Sequence, residues 1–253
     1  MSHLLFAANW KMHHAPGAAR QMVREVLARH RPVAGREQIF FPPAVSLGAV
    51  VEEIKGRRDV AAGVQNVYWE AKGAFTGETS APIAAGAGAT WALIGHSERR
   101  HKFGESDAET GKKVRAVLAA SLKAMLCVGE LIEERRAGRT EEVVLRQLDA
   151  GLAGLDAATT AQVVVAYEPV WAIGTGVNAT PSDAAAVHRT IRQWLTARSP
   201  AGTRHAILYG GSVNPDNAAA LLAEGELDGV LVGGASLEAE SWLKILAAPR
   251  PAR

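Results

Sequence analysis

One cysteine in 253 residues, Cys127, excludes an intrachain disulfide framework. It lies within the apolar run Ala124-Met125-Leu126-Cys127-Val128, where a small thiol belongs in a core. No stretch approaches the run of about 18 apolar residues that a membrane helix needs. The first apolar segment is cut short by Asn9-Trp10-Lys11 before a signal-peptide core can form, so a reducing, cytoplasmic setting is the default expectation. Charge of one sign is also missing: 28 Lys+Arg against 26 Asp+Glu leave a net +2, with no polybasic block. A field that weak does not mark nucleic acid as a partner, and the pairs Arg99-Arg100 and Arg135-Arg136, beside acids, read as solvated helix faces or ion pairs. Neither a G-x-x-x-x-G-K-[ST] loop nor a G-x-G-x-x-G turn after the first apolar run is present, since Ala7-Ala8-Asn9-Trp10-Lys11 stands there. ATP and dinucleotide chemistry therefore lack support.

What the chain does have is apolar residues in short pieces. Hydrophobic residues make up 48 %, ample for a core, and they gather in eight runs, at 4–8, 39–41, 60–64, 91–94, 124–128, 163–167, 206–209 and 229–232. Most are continuous instead of alternating, which is what strands covered on both faces require, so the sheet should be parallel. Helical patterns separate them. Residues 18–30 place Met22, Val23, Val26 and Leu27 on one face. Ser106-Asp107-Ala108-Glu109 has capping-box spacing, Thr180-Pro181-Ser182-Asp183 repeats it with Pro181 in the first turn, and Asn214-Pro215-Asp216 suggests a third start of that kind. From Thr140 onward, Val143, Val144, Leu145 and Leu148 give another apolar face. Eight strand-helix alternations in about 250 residues match a (β/α)8 barrel. With no Pro- or Ser-rich linker, residues 1–253 read as a single domain.

In such a barrel the site forms at the carboxyl ends of the strands. The residues there are Asn9 and Lys11 after the first run, Gly95-His96-Ser97-Glu98 after the fourth, Glu168 after the sixth, Gly210-Gly211-Ser212 after the seventh and Gly233-Gly234 after the eighth. Glu168 is the most telling. Pro169 biases it towards extended backbone, and the glycine-punctuated loop Pro169-Val170-Trp171-Ala172-Ile173-Gly174-Thr175-Gly176 carries large apolar groups that need something to cover. A carboxylate under such a lid reads as a base in a water-poor site. Gly233-Gly234, Gly211-Ser212 and Gly174 can present backbone N–H groups to a dianion.

These segments together resemble the triosephosphate isomerases. The likeness is carried by Asn9-Trp10-Lys11-Met12, Gly95-His96-Ser97-Glu98-Arg99-Arg100, residues 166–176, Tyr209-Gly210-Gly211-Ser212-Val213, the third loop Gly73-Ala74-Phe75-Thr76-Gly77-Glu78 and residues 230–237, and it spans the chain. The resemblance implies proton transfer between dihydroxyacetone phosphate and glyceraldehyde 3-phosphate, in glycolysis and gluconeogenesis, without metal or organic cofactor. It assigns Glu168 as the base, His96 as the group that polarises the carbonyl, Lys11 as the cation facing the enediolate and Asn9 as the residue that orients it. It also implies support from Ser97 and Glu98, phosphate contacts at Gly174, Ser212, Gly233 and Gly234, a lid over 169–176 closing against Tyr209 with hinges at Pro169-Val170-Trp171 and Val177-Asn178-Ala179, and a homodimer in which Phe75 and Thr76 enter the partner. The family usually has glycine at Ala7 and Ala8, and Asn-Gly where His13-His14 stand; the two histidines are expected to be loop residues and not a metal site. The alternative is a related isomerase acting on a four-carbon ketose phosphate.

Overall fold

The computed structural model describes residues 3–173 and 179–250. Eight parallel strands close into a barrel in chain order: β1 (Leu4–Asn9), β2 (Arg36–Phe41), β3 (Val60–Val64), β4 (Trp91–Ile94), β5 (Lys123–Val128), β6 (Val164–Tyr167), β7 (Ile207–Tyr209) and β8 (Gly229–Val232), with β8 pairing back onto β1. Among the described residues no helix is long and apolar enough to cross a membrane.

The eight expected runs are the eight strands, with two shifts at their ends. β2 starts three residues early, at Arg36, because its polar end is satisfied: Arg36 donates to the Leu246 and Ala248 carbonyls, and Gln38 accepts from Trp242 Nε1. Val163 drops out of the ladder because its N–H turns back to the Thr160 carbonyl. The Ser106–Glu109 and Thr180–Asp183 capping boxes are both complete, and Pro181 opens its helix. Asn214 behaves differently from the expectation. Its side chain accepts from the N–H groups of Asp216 and Asn217 in a turn, and the helix itself starts at Ala218.

Side-chain alternation divides the core in two. Leu4, Phe6 and Ala8 of β1 pack with the helices, while Leu5 and Ala7 pack inside the barrel with Ile39, Phe41, Leu93, Met125, Cys127, Ala166, Leu208 and Leu231. Because the period is two, the residues that continue the inward set past the strand ends are Asn9 after Ala7, Glu168 after Ala166, Gly210 after Leu208 and Gly233 after Leu231. The barrel thus delivers these four to one mouth.

Candidate active site

That mouth holds a cavity of 330 Å³ lined by Asn9, Lys11, His96, Glu168, Ile173, residues 210–214, Leu231 and residues 233–235. The expected Asn9, Lys11, His96, Glu168, Ser212, Gly233 and Gly234 therefore border one space. Gly174, Thr175 and Gly176 of the expected lid, and Val177 and Asn178 of its trailing hinge, lie outside the described residues. Phe75 and Thr76 are on the exposed third loop and do not line the cavity.

Glu168 is 2 % exposed, yet its carboxylate is not stranded. Oε1 lies 3.0 Å from His96 Nε2, and Oε2 accepts from the Ser97 backbone N–H at 2.9 Å. The Cys127 thiol makes a third contact; burial first, and the Glu168 charge second, push its pKa well up, so it stays a neutral donor. Space around Glu168 is closed by two glycines. A Cβ on Gly129 would sit 1.7 Å from the Glu168 carbonyl oxygen, and one on Gly210 would sit 2.9 Å from its Cγ.

His96 caps the helix Ser97–Phe103, and its Nδ1 accepts the Glu98 backbone N–H at 3.3 Å. An acceptor nitrogen carries no hydrogen, so the ring's proton is on Nε2, facing Glu168 and the cavity. Burial pulls the His96 pKa down and the adjacent Glu168 carboxylate pulls it up; the pair leaves it above its ordinary value. If the carboxylate moves away, burial remains, and the ring is driven back towards neutrality. The loop before His96 is rigidly tied. Glu105 accepts from the Gly95 N–H at 3.1 Å and is itself paired with Arg99 and Lys113, while Arg100 donates to the Gly95 and Cys127 carbonyls. Arg100 is thus buried, with a structural role and not a solvated face.

Lys11 has φ 51°, a left-handed value that a side chain adopts at a cost of roughly 1–3 kcal/mol. Three bonds hold it there. Its N–H donates to Asn9 Oδ1 at 3.0 Å, its carbonyl accepts from Gln65 Nε2 at 2.8 Å, and its ammonium lies 2.9 Å from Glu98 Oε1. Burial raises the Glu98 pKa, but the Lys11 bond outweighs it and the carboxyl stays below its usual range. Both charges at the mouth are therefore paired: Lys11 with Glu98, and Glu168 with donors.

The leading part of the lid is anchored by a residue that the sequence reading passed over. Val170–Ala172 forms a single 3-10 turn; the Val170 N–H donates to the Glu130 carbonyl at 3.1 Å, and Trp171 Nε1 donates to Glu130 Oε1 at 2.9 Å. Glu130 is fully buried, also accepts from the Tyr167 hydroxyl, and lies 3.7 Å from Arg135, whose guanidinium covers the Trp171 ring at 4.5 Å. Glu130 follows β5, so extending the strand-end rule to the fifth strand would have found it. Gln65, after β3, was missed in the same way. Tyr209 points its buried hydroxyl at the backbone N–H of Ala179, short of a full hydrogen bond; burial, and Asp183 after it, push its pKa up to about 12.

Comparison with known proteins agrees with this geometry. A family model described as triosephosphate isomerase matches residues 4–249. A protein named triosephosphate isomerase from Roseiflexus sp. (strain RS-1) is 48 % identical over 244 residues, covering 96 % of each chain. Proteins of the same name from Herpetosiphon aurantiacus and Symbiobacterium thermophilum are 45 % and 47 % identical, covering 97 % and 98 % of this chain and 99 % and 98 % of their own.

Proposed function

The chain belongs to the triosephosphate isomerase family, and from that premise we propose that it interconverts dihydroxyacetone phosphate and D-glyceraldehyde 3-phosphate by proton transfer through an enediolate. The observation that carries the chemistry is the buried pair of Glu168 and His96, 3.0 Å apart, with the only ring proton on the nitrogen that faces the cavity. A carbon-bound proton next to a carbonyl is removed by a desolvated carboxylate while a donor meets the oxygen that becomes negative. Glu168 is that base. It takes the proton from the hydroxyl-bearing carbon; the bonding pair moves to the neighbouring carbon and the carbonyl oxygen takes the negative charge. His96 gives that oxygen its Nε2 proton and recovers one from the adjacent hydroxyl, and Glu168 returns its proton to the second carbon. Atoms and electrons balance without a co-reactant. Lys11, oriented by Asn9, opposes the enediolate charge, with Ser97 and Glu98 in support.

The phosphate is held by backbone N–H groups at Ser212, Gly233 and Gly234, and by Gly174 in the lid. Residues 169–176 cover the site and exclude water, which would otherwise compete for the proton. Residues 1–253 act as one domain. The protein works as a homodimer in the cytoplasm, in glycolysis and gluconeogenesis. Support for the dimer is the apolar surface near the mouth: Met12 is 94 % exposed and Phe103 71 % exposed, and Phe75 is also uncovered. A coupled assay with purified protein tests the reading. Glyceraldehyde 3-phosphate should turn over, and a four-carbon ketose phosphate run beside it should not; the reverse preference would overturn the proposal.

A further inference from the structure

The loop after β1 sends two side chains across to the turn after β8, and the mechanism leaves one of them without a role. Trp10 Nε1 donates to the Ser236 carbonyl at 3.1 Å, and His14 Nε2 lies 3.1 Å from the Leu237 carbonyl. A carbonyl oxygen only accepts, so Nε2 of His14 carries hydrogen whatever the charge of the ring. His14 also sits at φ 66°, where a Cβ crowds the following carbonyl and glycine is the easy choice. The conformation is retained by its contacts. The ring stands edge-on to the Trp10 indole, with centroids 4.8 Å apart at 75°, and the His14 carbonyl accepts from the Ser46 hydroxyl at 2.7 Å.

The turn that His14 reaches is a slight structure. Gly234–Ser236 is one 3-10 turn, closed by the Ser236 N–H on the Gly233 carbonyl at 2.9 Å and the Leu237 N–H on the Gly234 carbonyl at 3.1 Å. So short a turn is weak by itself, and the N–H groups at its start have no partner within it. Gly233 and Gly234 line the cavity. What fixes their direction is the grip on the turn's far end, where Trp10 and His14 bind the carbonyls of consecutive residues, 236 and 237.

We propose that His14 is a positioning residue for the phosphate group of the substrate: by pinning the Leu237 carbonyl it keeps the Gly233 and Gly234 N–H groups aimed at the dianion without touching it. The inference rests on the isomerase reading for the identity of the phosphate. It also accounts for a strained histidine in a loop where relatives of this kind usually have glycine: a glycine would relax the backbone and lose the donor.

The test uses the full chain with His14→Gly and His14→Gln. Calorimetry with inorganic phosphate reads the grip directly; KM and kcat for glyceraldehyde 3-phosphate and the thermal midpoint are measured beside it. Losing one hydrogen bond in His14→Gly should raise both the phosphate Kd and KM about fivefold while kcat stays within about twofold. The midpoint should not fall, because the strain is gone. His14→Gln, whose amide nitrogen can reach the place of Nε2, should recover at least half of the lost affinity. An unchanged phosphate Kd in His14→Gly, or a glutamine variant no better than the glycine one, overturns the proposal. Calorimetry does not depend on turnover, so a wild type that binds phosphate yet fails to isomerise overturns the isomerase reading alone.

Discussion

Glu168 meets His96 and the Ser97 N–H with a side chain of fixed reach, inside walls set by Gly129 and Gly210. Shortening it to aspartate keeps the charge and withdraws the carboxylate by one methylene. Misplacement near 1 Å costs on the order of 10²-fold in rate, so Glu168→Asp should lower kcat by about that factor. KM should change far less, because Ser212, Gly233 and Gly234 are untouched. Near-normal turnover in this variant, or carbon-bound hydrogen of unreacted substrate exchanging with deuterated solvent at the wild-type rate, would mean that another group is the base. Lys11→Met should differ in kind. The ammonium faces both the bound charge and the charge that develops, so its loss should raise KM and lower kcat together. Glu98 supplies a second readout: without Lys11, burial becomes the largest remaining influence, and its carboxyl should titrate at higher pH than in the wild type. A Glu98 titration that does not move would deny the pairing.

Two elements carry testable physics of their own. The leading part of the lid is fastened to Glu130 through the Val170 N–H and Trp171 Nε1, with Arg135 stacked on the indole, so any closing movement must change the surroundings of Trp171. Its fluorescence should shift when a phosphate-bearing inhibitor saturates the site; constant emission would remove the moving lid from the mechanism. The helix Pro181–Thr196 contributes a different effect through His188, which is wholly buried beside Tyr167, with Nδ1 against the Glu226 carbonyl. Burial lowers its pKa from 6.5 to about 4, so between those values the unfolded chain binds a proton that the folded one refuses. Its contribution to stability is complete above the unfolded pKa, declines as pH falls towards 4 and then levels off, a difference on the order of 3 kcal/mol. His30, His101 and His205 are shifted in the same direction by burial and add to the slope. The comparison of wild type with His188→Gln isolates the one residue. The variant's stability should depend less steeply on pH across that window, and parallel curves would refute the assignment.

At the scale of the whole molecule the unsolved problem is apolar surface. Met12, Val45, Ile83 and Phe103 are all more than half exposed, and Phe75, packed on Tyr68 at 4.5 Å, is still 41 % exposed at the tip of its loop. A groove of 530 Å³ beside the mouth is lined by Met12, His13, Gln65, Glu98 and Phe103, and shares Asn9, Lys11 and His96 with the site. A second copy inserting its Phe75-Thr76 loop there would cover both surfaces and bring Thr76 towards Asn9 and His96 of its neighbour. Sedimentation should therefore give a dimer at micromolar concentration, and a stable, active monomer would remove the idea. His13→Asp should weaken association more than it changes turnover, since His13 lines the groove and not the catalytic cavity.

The sequence by itself determined what depends on near neighbours. Continuous apolar runs specified strands buried on both faces, the capping boxes at Ser106 and Thr180 marked two helix starts, and alternation along each strand settled that Asn9, Glu168, Gly210 and Gly233 face inward once the barrel closes. Resemblance added the roles. The tertiary structure alone decided which distant groups meet. Glu168 binds a histidine and a backbone N–H from a loop 71 residues earlier, Glu130 gathers Tyr167, Trp171 and Arg135, and His14 reaches a carbonyl 223 residues away. Nothing in the local pattern announces the left-handed backbone of Lys11 or His14, because each is stabilised by contacts from other segments that outweigh its intrinsic preference. Local propensity and periodicity act over a turn of helix or a pair of strand residues; hydrogen bonds and packing act across whatever distance the closed barrel has removed.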